Sequence, residues 1–464
     1  MTVPYWVEDA IFYQIFPDRF ANGDPAHVLP GTKGWDELPT ITGFHGGDLR
    51  GVIEKFDYLL DLGINALYFN PIFQATSNHR YNTTDYFKID QKLGDLRDFR
   101  ALLDLAHSNQ VKVVLDGVFN HCGRGFFAFN DLLENQEASL YKNWFYIKNF
   151  PVRGYAGSQA DDFQAWWGYR SLPKLNTGTK AVRRYIMDVA RYWIEQGADG
   201  WRLDVPNEID DDDFWAEFRQ VVKAANPDAY LVGEIWDGNP RWVGEKSFDG
   251  LMNYPLRDAL LPWLNGKSKP SQFGAAIDKI LNLYPRENVY AMYLPLGSHD
   301  TERLWTMLGG DIARVKLALL FQFAFPGAPA IYYGDEIGLE GGKDPGCRRT
   351  FPWEPGRWRL ELRQWVKKLV QLRKSLPVLR RGDYQQIWLN DARGCYVFGR
   401  RLGDQRVMVA LNVSQTKRNL HLPVTELGWP DGHIVHGLTE PGDYIVSGDS
   451  LNLSLPPWSG MILG

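Results

Sequence analysis

Short apolar runs alternate with longer amphipathic stretches along most of the chain. "AIFYQIF" (Ala10–Phe16) is compact and apolar and reads as a first strand. "LRGVIEKFDYLLDLG" (Leu49–Gly63) has apolar residues three and four apart and ends on glycine, which predicts a helix and its stop. The alternation continues. Strands are expected at 64–72, 111–116, 198–204, 229–235, 247–255, 289–300 and 328–334, and helices at 96–110, 181–197, 212–226, 313–325 and 360–376. Strands alternating with helices eight times predict an α/β fold, a parallel (β/α)8 TIM barrel. An open doubly wound sheet is the alternative; it calls for a Gly-rich phosphate loop after an early strand, and the sequence has none.

Two stretches break the rhythm. From Cys122 to Leu172 the chain is rich in aromatics, Asn and Gly and reads as an excursion (domain B) from the loop after the third strand. From Leu379 the helical period stops, and "GCYVFGRRL", "RVMVALNV" and "SLNLSLPP" alternate with period two, predicting a C-terminal antiparallel β-sandwich domain. The expected organisation is therefore barrel over 1–121 and 173–378, excursion over 122–172 and β domain over 379–464.

The 464 residues carry a net charge of −5 and no Lys/Arg block, so nucleic acid is not an expected partner. Three scattered cysteines predict neither a disulfide framework nor a zinc site. The N-terminus, "MTVPYWVEDA", lacks a basic region and does not read as a signal peptide. The most apolar run, Leu317–Gly334, is interrupted by Gln322, Pro326 and Pro329 and reads as a buried helix and strand rather than a membrane span. A cytoplasmic protein without a membrane partner is the expectation. The 18 Trp and 22 Tyr suit the flat faces of sugars, but large cores use such rings too, so composition does not decide.

The candidate chemistry lies at strand ends. Asp116 ends "VKVVLD", Glu234 ends "YLVGE", and Asp300 ends "LPLGSHD". In "GWRLD", Arg202 and Asp204 are two apart and share one face of a strand, pointing into the barrel. Barrel enzymes place their chemistry at this end, and burying several uncompensated carboxylates as packing is costly. Paired carboxylates suit glycosidic cleavage: one protonates the leaving oxygen and the other attacks the anomeric carbon. Arg202 is expected to hold Asp204 ionised by lowering its pKa, and burial to keep Glu234 protonated.

With "DGVFNH" (Asp116–His121), "GWRLDVPNE" (Gly200–Glu208), "GEIW" (Gly233–Trp236) and "SHDTERL" (Ser298–Leu304) in this order, the chain resembles the alpha-amylase family, glycoside hydrolase family 13. "LPKLN" (Leu172–Asn176), "NPIF" (Asn70–Phe73) and "NHRYNTTDYF" (Asn78–Phe87) resemble its neopullulanase, cyclomaltodextrinase and maltogenic amylase branch. The resemblance implies Asp204 as nucleophile, Glu234 as acid/base and Asp300 as transition-state stabiliser. It implies Tyr81 stacking under the sugar, His121 and His299 on its hydroxyls, and Arg202 orienting Asp204. Asp344 and Arg348 would contact sugars on the non-reducing side, and Asn207, Glu208 and Trp236 would face the acceptor side. Asp116 is expected among the substrate-binding residues. The implied activity is a retaining α-glucan hydrolase acting on α-1,4 bonds of maltooligosaccharides, cyclodextrins, pullulan or starch, with α-1,6 cleavage and transglycosylation left open. An oligo-1,6-glucosidase or sucrose/trehalulose-type transferase is the alternative, and a non-catalytic sugar-binding barrel a remote one.

The sequence departs from the branch in three ways. The barrel pattern starts close to Met1, where relatives usually carry a β domain that mediates dimerisation; the oligomeric state and the preference for small cyclic substrates are therefore open. Asn22, Asp24, Asp48 and a carbonyl near Gly47 resemble a structural calcium loop, but His27 and Val28 stand where the branch often has Asn and Asp, so calcium is an open alternative to no cofactor at all. Asn82 stands where the family commonly has Asp, and Asp237 where this branch has His.

Overall fold

A computed structural model describes residues 3–24 and 29–464. Eight parallel strands make the central sheet: β1 (Phe12–Ile15), β2 (Ala66–Phe69), β3 (Lys112–Gly117), β4 (Gly200–Leu203), β5 (Tyr230–Gly233), β6 (Gly250–Leu251), β7 (Tyr293–Pro295) and β8 (Ala328–Tyr332). Strand β8 pairs with β1, and a parallel bridge from Met252 to Tyr293 joins the β6 and β7 ends, closing the barrel predicted from the alternation.

Alternate side chains divide the barrel into two layers. Phe12, Tyr68, Val114, Tyr230, Val232, Met252, Tyr293 and Ala330 fill the interior, while Tyr13, Leu67, Val113, Leu115, Trp201, Leu203 and Leu231 pack outward under the helices. The register sets Asp116 of β3 directly beside Arg202 of β4. Gly200 permits the pairing on the other side of β4: a Cβ there would lie 2.2 Å from the Tyr230 carbonyl oxygen on β5.

Several expected elements are shorter than their apolar patterns. The sixth strand ends at Leu251 because Asn253 caps the next helix (Tyr254–Leu264) through Leu256 N–H, and Pro255 sits in its first turn. The seventh begins only at Tyr293, since Arg286–Tyr290 is helical after Pro285. The expected helix over 49–63 is two helices, Leu49–Glu54 and Phe56–Leu62, broken at Lys55; Gly63 ends the second at φ 87°. The apolar run from Leu317 is the buried end of helix Ile312–Ala324 followed by β8, and among the described residues no helix is long and apolar enough to cross a membrane.

Two excursions rise from the C-terminal end of the barrel strands. One, not foreseen in the periodicity, is an antiparallel hairpin after β2 (Phe73–Ala75 with Thr83–Ile89). The other follows β3. It contains helix Phe127–Asn135 and is held by bridges Phe145–Leu175, Ile147–Phe163 and Ala165–Pro173. The C-terminal domain is the expected sandwich of two four-stranded antiparallel sheets: Asp383–Asn390, Cys395–Leu402, Gln405–Asn412 and Ser459–Leu463 against Arg418–Pro423, Ser450–Leu455, Asp443–Ser447 and Ile434–His436. The first sheet also packs on the barrel, with Phe398 against Phe321 and Tyr396 against Phe273.

Arg400 fastens this junction. It is fully buried and donates to the carbonyls of Ala324, Leu379 and Gly382, with no carboxylate among these partners. Replacing it removes the donors while the carbonyls stay buried. Arg400→Met is expected to destabilise the protein by about 3 kcal/mol in chemical denaturation, from the loss of charge-assisted hydrogen bonds.

Candidate active site

Arg202 is the hub of the site. Its Nη1 lies 2.8 Å from Asp116 Oδ1 and 3.0 Å from Asp204 Oδ1, and its Nη2 lies 2.9 Å from Glu234 Oε2. One buried cation thus joins three buried acids from three consecutive strand ends. This is why a core strand carries Arg and Asp two apart: the guanidinium makes three neighbouring carboxylates tolerable in one place.

The chain turns sharply behind the first acid. Val205 adopts φ 36°, ψ 53°, a left-handed conformation costly for a β-branched residue. The turn aims Val205 N–H at Glu234 Oε2, 3.0 Å away. Trp236 lies flat on Tyr254, with ring centroids 3.8 Å apart, and its indole N–H donates to Glu234 Oε1 at 3.2 Å.

A second set of contacts brings in Asp300. Tyr81 Oη donates to Asp116 Oδ2 (2.8 Å), which also accepts from Tyr68 (2.6 Å). Gln14 Nε2 donates to His299 Nδ1 (3.0 Å), so the imidazole proton sits on Nε2. From there it faces Tyr81 Oη at 2.5 Å and Asp300 Oδ2 at 3.0 Å. Arg348 braces the far side: Nη2 is 3.3 Å from Asp300, Nη1 is 3.0 Å from Asp344, and Nε donates to the His299 carbonyl. Asp204, Glu234 and Asp300 therefore belong to one polar network, through Arg202, Asp116, Tyr81 and His299.

Burial dominates the electrostatics. It raises the carboxyls of Asp204 and Glu234 alike, Glu234 to about 7, with Arg202 opposing both. The expectation that Arg202 lowers Asp204 below its ordinary range is corrected: desolvation outweighs the cation. The two acids titrate as a pair. Arg202 donates an aligned hydrogen bond to Asp204 and makes only an ionic contact with Glu234, an asymmetry that favours the anion at Asp204 over the anion at Glu234. Burial also lowers His121 and His79 to about 3, and His299 well below its usual value, so all three imidazoles are neutral donors.

Known proteins similar to this chain share one family. Residues 14–375 match the alpha amylase catalytic domain. The chain belongs to the alpha-amylase family. It is 45% identical to a cyclomaltodextrinase of Geobacillus thermopakistaniensis (strain MAS1), over 99% of this chain and 77% of the relative. It is 44% identical to neopullulanase 2 of Thermoactinomyces vulgaris, over 100% of this chain and 78% of the relative. The crystal structure of a debranching enzyme from Nostoc punctiforme superposes with a TM-score of 0.91 at 42% identity, covering 100% of this chain and 99% of that one. The chain is accordingly an alpha-amylase family glycoside hydrolase.

Within this family site the other expected residues separate. His121 is buried, takes the Asn120 amide on Nδ1 and stacks on Trp166. Asp344 and Arg348 are not a solvated surface pair, because Arg348 is buried against His299. Asn207 is exposed on the turn Pro206–Glu208, and Glu208 is half-buried, with its carbonyl accepting from Lys174. Neither meets the catalytic acids through any described contact. Asn82 works as a clamp, because its amide donates to Thr76 and accepts from Ser77 and so ties the tip of the hairpin that carries Tyr81. An Asp there would lose the donation. Asp237 is exposed.

The calcium set fits poorly. Asp48 Oδ1 accepts from Gly51 and Gly23 N–H and Oδ2 from Asp24 N–H, so both oxygens cap backbone. Arg50 brings a guanidinium to 3.2 Å from Asp24. Asn22 Oδ1 is buried without a partner among the described residues, as a ligand would be. His27 and Val28 lie outside the described residues. A cation beside Arg50 would be repelled, and no catalytic step is routed through one.

Sequence reasoning missed Gln14, Tyr68 and His79. Gln14 had a signal: a polar residue on the inward face of an apolar strand. His79 had none, since only the folded hairpin stacks it on Tyr81.

Two outcomes follow from the electrostatics. Because Glu234 must be protonated to act as an acid, kcat/KM is expected to fall as pH rises through about 7; an unburied Glu would place the limb near 4.5. Arg202→Lys keeps the charge but cannot reach three carboxylates at once, and is expected to lower kcat about 100-fold through misplacement of the acids, with KM nearly unchanged.

Proposed function

We propose that this chain is a retaining hydrolase of α-1,4 and α-1,6 glucosidic bonds in maltooligosaccharides, cyclodextrins and pullulan. The observation that carries the reading is one guanidinium holding Asp204 on one nitrogen and Glu234 on the other. This keeps two carboxyls of opposite protonation close enough to act on the same bond, as retaining glycosidases require.

Asp204 attacks the anomeric carbon while Glu234 passes its proton to the departing oxygen. A covalent glycosyl-enzyme forms and the aglycone leaves. Glu234, now ionised, takes a proton from water as the water attacks the same carbon, and the product keeps the α configuration. The neutral donors His299 and His121 suit sugar hydroxyls, and Asp300, one-third exposed, is braced by Arg348. A sugar hydroxyl in place of water would give transglycosylation. Cleavage of α-1,6 bonds is supported by the kinship with a debranching enzyme and with a cyclic α-maltosyl-(1→6)-maltose hydrolase from Arthrobacter globiformis. Three buried free cysteines are compatible with a reducing, cytoplasmic setting.

Product analysis on β-cyclodextrin, pullulan and maltotriose tests the substrate assignment; release of α-anomeric maltose or panose, followed by NMR before mutarotation, is expected. Asp204→Asn is expected to reduce kcat by at least about 1,000-fold, on the scale of removing a covalent nucleophile. Glu234→Gln should do the same on maltotriose but much less on α-maltosyl fluoride, whose leaving group needs no proton. Equal loss of Glu234→Gln activity on both substrates would remove Glu234 from the acid role.

A further inference from the structure

The excursion after β3 presents an aromatic surface that the cleavage centre does not use. Trp166 stacks on His121, with ring centroids 5.4 Å apart and planes 24° apart. Trp167 lies parallel to Trp166, at 4.7 Å and 8°. Tyr169 flanks them, tilted 39° at 6.4 Å from Trp166. Trp167 is 73% exposed and Tyr169 is 44% exposed.

Packing does not account for Trp167. An indole left three-quarters in water gives up most of the burial that makes Trp worth placing in a core. Its backbone is also in the left-handed region, at φ 48°, ψ 24°, where a bulky residue is disfavoured. The turn is nonetheless well tied: Trp166 N–H donates to the Leu172 carbonyl, Gly168 N–H to Ala165 and Tyr169 N–H to Trp166. The strained turn holds the ring out, flat against its neighbour, with broad surface open to solvent. Gln159 pairs with Tyr169 through an antiparallel bridge and brings its side-chain oxygen close to Gly168 of the turn.

We infer that Trp167, flanked by Tyr169, is a stacking platform for a glucosyl unit remote from the scissile bond, so that the enzyme grips glucans longer than those filling the cleavage centre. The apolar C–H face of a glucopyranose matches an exposed indole, and its hydroxyls would remain in water or reach Gln159. The ring stack runs from His121, which meets the Tyr81 backbone, outward to Trp167, so one oligosaccharide can span both. This inference rests on the α-glucan hydrolase reading.

Calorimetric titration of the slow-cleaving Glu234→Gln enzyme with maltohexaose and maltotriose tests it. Adding Trp167→Ala is expected to weaken maltohexaose binding about tenfold, the size of one lost stacking contact, and to change maltotriose binding less than about twofold by the same reasoning. Trp167→Phe should recover most of the maltohexaose affinity. Unchanged maltohexaose affinity, equal weakening for both sugars, or no measurable maltohexaose binding to Glu234→Gln overturns the platform. Hydrolysis of maltohexaose by the wild-type enzyme separates the two readings. If it cleaves and Trp167→Ala has no effect on binding, only the platform fails; if it does not cleave, the functional reading fails and the platform with it.

Discussion

One buried guanidinium holds the active end of this barrel together. Asp116, Asp204 and Glu234 approach from three strands, and without a cation between them their mutual repulsion and desolvation would force protons onto all three or push them apart. Arg202 permits them to converge: with Glu234 holding a proton, a single net negative charge remains. The asymmetry of its contacts then separates their roles: an aligned hydrogen bond favours charge on Asp204, while a looser contact leaves Glu234 free to keep its proton. The same residue serves as both a folding constraint and a catalytic one.

The surrounding contacts make that arrangement rigid rather than merely tolerated. Tyr81 reaches Asp116 from a hairpin whose tip loop is tied to its base by the fully buried Arg80–Asp90 pair (2.8 Å) and clamped by Asn82. Gln14 on β1 sets the tautomer of His299, and His299 in turn meets both Tyr81 and Asp300. Each functional side chain is thus oriented by a neighbour on a different element, so a small change in strand register would be felt across the whole network. The strained Val205 turn is maintained by this setting, since the N–H it exposes binds Glu234.

The chain confines its irregular geometry to one end of a regular scaffold. The interior layer below Arg202 is apolar, the outer layer packs under helices, and the sandwich is fastened on by Arg400 and aromatic contacts. Loops at the catalytic end are therefore free to vary. Two departures from the family's usual residues fall there: Asn82 clamps the hairpin tip, and Asp237 is exposed after β5.

Periodicity alone was enough for the barrel, because parallel strands buried on both faces and amphipathic helices leave distinct patterns, and enough for the sandwich, because its strands alternate with period two. The candidate acids were legible too: a carboxylate closing an apolar run has few packing explanations, and the structure brings Asp116, Asp204, Glu234 and Asp300 into one polar network. What the sequence could not determine was contact between distant segments. The hairpin after β2 is short and mixed in polarity, so it left no period. The ends of the sixth and seventh strands were set by a cap at Asn253 and a proline at 285, which outweigh apolar content. The upward shift of the Asp204 carboxyl depended on how completely it is buried, and that depth, like the exposure of Trp167, arises only when separate parts of the chain enclose or fail to enclose a residue.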